Sequence, residues 1–228
     1  IVIVEDESEN LTFTNTYGAS TGDEDIAAQI PATKKLTGRD MNAEEFQFEV
    51  VTRKADEAVE GFKEEVVAVG TNAEAANDTL GTVTFAGKDD VNLTYTVESL
   101  NQAVKDGYAV KEVQQNGQVA WMVSYTAREL TTNLPGGVKA VEGKTSYDFG
   151  ILVTDHNDGT LTAAVETPEN GIAFENTYTT GGTEIDTDPT EAAAYFNKVL
   201  TGRDWLESDE FTFTIVPQGD APAPEGAA

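Results

Sequence analysis

Two short motifs that each occur twice constrain this chain more than any other feature. Phe13-Thr14-Asn15-Thr16-Tyr17 returns as Phe174-Glu175-Asn176-Thr177-Tyr178, and Lys34-Lys35-Leu36-Thr37-Gly38-Arg39-Asp40 returns as Lys198-Val199-Leu200-Thr201-Gly202-Arg203-Asp204. Along the chain they alternate as tail, head, tail, head. This order predicts the C-terminal tail of one repeat at 1–17, a complete domain at 18–180 and the N-terminal part of a further repeat at 181–228. Phe211-Thr212-Phe213-Thr214-Ile215-Val216 extends the second head with the spacing of Phe46-Gln47-Phe48-Glu49-Val50-Val51.

Composition narrows what such repeats can do. A hydrophobic share of 39% in 228 residues is enough to build a core. Lys and Arg total 14 against 41 Asp and Glu, a net charge of -27, so a phosphate backbone would meet repulsion and nucleic acid is not expected as a partner. The excess acid reads equally as a well-solvated surface. Cys is absent, which removes disulfides, thiolate catalysis and thiolate metal sites, so any covalent staple must use other atoms. No run of about 18 apolar residues occurs. The opening Ile1-Val2-Ile3-Val4 passes straight into Glu5-Asp6, so no membrane span or signal peptide is expected in this segment.

Apolar residues in the complete copy recur with period two at Phe46/Phe48/Val50, Leu93/Tyr95/Val97, Trp121/Val123/Tyr125/Ala127 and Leu161/Ala163/Val165, which predicts strands with one apolar face. Asp158-Gly159 lies between Gly150-Ile151-Leu152-Val153 and Leu161-Thr162-Ala163-Ala164-Val165 and predicts a hairpin turn. Short helices are expected only as decorations, at 72–79 and 100–106. With no long crossover helices between the strands, an all-β sandwich is favoured over an α/β fold.

Three polar residues stand in apolar stripes. Lys34 shares a face with Leu36 while Lys35 points away; buried, its ammonium is driven towards the neutral amine, and at a strand end it can instead snorkel to water. Asn176 lies between Phe174 and Tyr178 on one face, where a buried carboxamide must be satisfied and ordinarily serves as a hydrogen-bond hub. Glu129 continues the Trp121/Val123/Tyr125/Ala127 face. Glu98 is off the Leu93/Tyr95/Val97 face, and Glu112 shares phase with Tyr108 and Val110 and is the alternative acid.

Other chemistry is weakly signalled. Counting from Asp155, the sixth residue of Asp155-His156-Asn157-Asp158-Gly159 and its continuation is Thr160, where a calcium loop needs Gly. His156 is the only His and sits in that polar turn, so no catalytic triad is supported. Leu134-Pro135-Gly136-Gly137 reads as a turn, and no Gly-rich phosphate loop opens a helix. No cofactor or metal is expected.

Four pieces in order resemble the pilin isopeptide linker domains of Gram-positive surface proteins, a group that includes streptococcal backbone pilins. They are Ala32-Thr33-Lys34-Lys35-Leu36-Thr37-Gly38-Arg39, Tyr125-Thr126-Ala127-Arg128-Glu129 ahead of Leu134-Pro135-Gly136-Gly137, the hairpin at Asn157-Asp158-Gly159-Thr160-Leu161-Thr162, and Phe174-Glu175-Asn176-Thr177-Tyr178. The resemblance covers nearly all of 18–180 and implies immunoglobulin-like (CnaB-type) β-sandwich repeats. It implies a Lys-Asn isopeptide bond between Lys34 and Asn176, formed spontaneously with Glu129 as the catalytic acid. This is single-turnover self-modification and not enzymatic turnover. It further implies an extracellular module of a pilus or cell-wall stalk whose partners are neighbouring repeats, other pilin subunits or a host surface ligand. The long insertion before Glu129 departs from the family pattern. If 86–120 displays a binding surface, the domain is instead an adhesin.

Overall fold

The computed structural model describes residues 15–55, 57, 59–113, 117–180 and 198–214. The chain divides into two compact units, Ile1–Gly181 and Gly182–Ala228. The remainder of the first tail motif and the second linker lie outside the described residues.

The first unit contains β1 (Ala32–Thr37), β2 (Gln47–Thr52), β3 (Val66–Asn72), β4 (Leu80–Gly87), α1 (Val97–Asp106), β5 (Ala109–Val113), β6 (Val119–Glu129), β7 (Val138–Ala140), β8 (Ser146–Asp155), β9 (Leu161–Glu166) and β10 (Ile172–Tyr178). Their order across the sheet is β7-β10-β1-β4-β3-β2-β6-β8-β9, with β5 pairing beside β2 along the other half of β6. Strands this numerous and twisted bury an apolar face by curling onto themselves. Phe48 of β2 meets Phe174 of β10 with ring centroids 4.7 Å apart, although three strands separate them in the sheet. The result is the expected all-β, immunoglobulin-like sandwich arrangement.

Period-two burial explains the core. Phe48 and Val50, then Trp121, Val123, Tyr125 and Ala127, then Ile151 and Val153, are all inward and nearly inaccessible. Each large side chain so buried contributes about 1.5–3 kcal/mol of transfer free energy. The Asp158-Gly159 turn joins β8 and β9, with Asn157 and Gly159 both at positive φ (59° and 93°).

Two local expectations are overturned. Residues 72–79 form no helix: Asn77 and Asp78 are committed to clasping the end of β1. Gly38 N donates to Asn77 Oδ1 at 2.8 Å, Thr37 Oγ1 to Asp78 Oδ1 at 2.9 Å, and Asp78 N to Leu36 O at 2.9 Å. Leu93, Tyr95 and Val97 do not lie on one strand either. The backbone of 93–95 is taken up by the incoming segment, through Ile26 N to Leu93 O and Thr21 N to Tyr95 O, both 3.0 Å. Thr96 and Ser99 then form a reciprocal capping box that starts α1 at Val97. The helix expected at 100–106 is present within α1, which buries Leu100 and Ala103.

Gly38 follows β1 with φ 112°, and an added Cβ would run into the backbone carbonyl of Tyr178. Gly38→Ala is therefore expected to cost about 2 kcal/mol or more, from strain plus a backbone clash. Urea unfolding checks this; an unchanged midpoint would remove the requirement for Gly there.

Candidate functional site

Lys34 lies centrally in β1, turned inward with Ala32 and Leu36 by strand alternation. β1 runs parallel to β10 in the register Lys34↔Phe174 and Leu36↔Asn176, which puts Lys34 and Asn176 on the same face of neighbouring strands, one pleat apart. Glu129 ends β6, paired with Phe48 of β2, and reaches the cluster across the interior of the curled sheet. Lys34, Glu129 and Asn176 are 0%, 5% and 1% exposed.

One carboxylate oxygen holds both partners. Glu129 Oε1 accepts from Lys34 Nζ at 2.6 Å and from Asn176 Nδ2 at 2.8 Å. Glu129 Oε2 and Asn176 Oδ1 are buried with no hydrogen-bond partner among the described residues. The Phe46 ring lies 4.6 Å from Lys34 Nζ. Burial drives the Lys34 amine below its usual range against the attraction of Glu129, and drives the Glu129 carboxyl above its usual range against the attraction of Lys34. Both shifts favour the uncharged pair.

The other candidates lie elsewhere. Lys35 faces out and pairs with Asp78 at 3.4 Å and Glu175 at 3.7 Å. Glu112 does not reach the cluster: it sits on β5 opposite Ala120, in a strand exposed from Val110 to Val113. Its shared phase with Tyr108 and Val110 defines an outward face, because the buried residue of that strand is Ala109. Glu98 lies in the exposed first turn of α1. Among the described residues no group of three His, Cys, Asp or Glu side chains converges as metal ligands would.

Two supporting residues were not assigned to the candidate site from the sequence. Phe46 forms the apolar floor under Lys34, and its own alternation with Phe48 is the signal that marks it. Asn72 is buried in phase with Ala68 and Gly70 of β3, accepting from Phe46 N at 2.8 Å and donating to Asn42 O at 2.7 Å. A polar residue closing an inward-facing alternation was the available clue.

The second unit repeats the head's local contacts. Lys198 Nζ lies 4.7 Å from the Phe211 ring, and Arg203 donates to Asp209 at 2.6 and 2.8 Å. In the first unit Lys34 lies over Phe46, and Arg39 likewise clamps Glu45. The repeated sequence thus carries a repeated Lys-aromatic and Arg-carboxylate geometry.

An all-β sandwich whose first and last named strands adjoin, with a Lys, a carboxyl and a carboxamide in buried contact between them, has the form of an isopeptide-bearing surface domain. The chain belongs to the FctA family, described as the Spy0128-like isopeptide containing domain, whose model matches residues 30–179. Membership makes it a structural module of the bacterial cell wall or pilus, outside the cell. No curated protein matches the chain significantly.

Proposed function

We propose that the complete domain at 18–180 is one repeat of a pilus or cell-wall stalk, that 1–17 and 181–228 belong to the preceding and following repeats, and that the domain crosslinks itself through Lys34 and Asn176. The observation that carries this is the contact of both side chains with a single oxygen of buried Glu129. Transfer of a proton from Lys34 to Glu129 yields a neutral amine and a carboxylic acid, the states burial favours. The amine attacks Asn176 Cγ while protonated Glu129, turned to Asn176 Oδ1, polarises the carbonyl. A new amide bond forms between Lys34 Nζ and Cγ, the Cγ–Nδ2 bond breaks, and Nδ2 leaves as ammonia after receiving a proton through Glu129. Oε2 and Oδ1, both unpartnered, are the atoms this step would bring together. Fixed proximity supplies the effective molarity that a free amine and amide lack.

The long insertion contributes Leu100, Ala103 and Ala109 to the core. That investment supports a scaffold over a display loop. Intact-mass measurement of the folded chain is expected to fall short of the sequence mass by one ammonia, with the deficit mapped to a Lys34–Asn176 linked peptide. Lys35→Ala is expected to keep the deficit because Lys35 faces outward. A folded wild-type chain at full mass rejects the crosslink.

A further inference from the structure

The segment that enters the first unit is tied down along its length. Ala19 is buried, and Ser20 bridges Thr96 on one side and Thr160 on the other. At its start Tyr17 donates its hydroxyl to Asp155 Oδ1 at 2.7 Å. Asp155 ends β8 and is 4% exposed, and the same oxygen accepts from Asn157 N at 2.8 Å, so the hairpin itself fixes the acceptor. The Tyr17 residue as a whole is 50% exposed. Its hydroxyl is held while half of the residue stays open to solvent.

Tyr178 occupies the same motif position and is held the opposite way. Arg39 lies over its ring at 4.9 Å, and Gly137 approaches the ring edge so closely that a Cβ there would stand 2.9 Å from Cε2. Here the domain grips the ring. An aromatic body with a polar tip can be used at both ends at once.

We propose that the tyrosine closing each Phe-x-Asn-Thr-Tyr tail is a two-sided rivet between successive copies of this domain, its ring held by Arg39 and Gly137 of its own copy and its hydroxyl by Asp155 of the next. The partner surface is the β8–β9 hairpin, and the occupant is the tail of the preceding copy. The hydroxyl-to-carboxylate bond is charge-assisted and partly shielded, which makes it a strong single contact for a joint. This inference rests on the tandem-repeat reading above, and it adds that the joint between copies is fixed in direction.

Hydrogen exchange at residues 18–21 tests it, in this chain and in the same chain with 18–178 duplicated in frame ahead of Gly18, which recreates a Tyr-Gly-Ala joint. In the original chain Tyr17→Phe removes only the hydroxyl and is expected to speed exchange there about tenfold, with β1 and β10 unaffected. Asp155→Asn should shift exchange in the same direction. In the duplicated chain the joint is expected to exchange about tenfold more slowly than in the original, and Arg39→Gln in the first copy should cancel that gain. Unchanged exchange in both hydroxyl-side variants overturns the lock. Equal protection in original and duplicated chains, with one ammonia lost per copy, overturns the rivet while leaving the repeat reading intact; a first copy that neither folds nor loses ammonia overturns the repeat reading itself.

Discussion

Glu129→Ala is expected to yield a folded chain at its full sequence mass, with Lys34 and Asn176 present but unjoined. The substitution removes the carboxylate oxygen that hydrogen-bonds both side chains, so the amine loses its proton acceptor and the carboxamide its acid. Folding should survive because Lys34 can sit neutral in its apolar surroundings of Phe46 and Leu36, a change burial already favours. Glu112→Ala, altering an exposed residue of β5, should retain the one-ammonia deficit. Intact mass with circular dichroism on both variants decides the matter. A retained deficit in Glu129→Ala would reject Glu129 as the acid.

The second large effect concerns stability. Lys34→Met keeps an unbranched apolar stem in the same cavity, removes the nucleophile and leaves Glu129 free to stay protonated beside Asn176. What it is expected to delete is the proposed covalent closure of a loop of about 140 residues, for which chain entropy gives about 5 kcal/mol. For a domain of this size that corresponds to a fall of about 10–20 °C in the thermal midpoint. Scanning calorimetry of wild type and Lys34→Met, each first checked for mass, measures it. A midpoint within about 3 °C of wild type would show that the crosslink, even if formed, contributes little to stability.

Strand phase made much of the site legible. The alternation around Lys34, Glu129 and Asn176 predicts three inward polar residues, and all three are buried in contact. The parallel pairing of β1 with β10 was not readable, since alternation fixes the face of a strand and says nothing of its neighbour. The helix expected at 72–79 failed although Ala and Glu are good helix formers, because tertiary contacts override propensity and Asn77 and Asp78 have specific partners on the end of β1. Leu93, Tyr95 and Val97 mimic a strand because the segment before Thr96 is extended and buried on one side, with its hydrogen bonds made to residues 20–26. Glu112 shows the reverse failure: a correct alternation was assigned to the wrong face, since only Ala109 marks the inward side of β5.

The parallel register of β1 and β10 also decides how the domain meets a stretching force. Ala32 lies beside Ile172 and Thr37 beside Thr177, so the chain enters the pair at one end through β1 and leaves it at the opposite end through β10. Tension on the two termini therefore runs along the ladder and loads its evenly spaced, slanted hydrogen bonds in shear, all together. An antiparallel pair with both termini at one end would instead open like a zip, one bond at a time. Lys34 and Asn176 sit inside this sheared segment, where an amide would stop the two strands from sliding before the first hydrogen bond had to give.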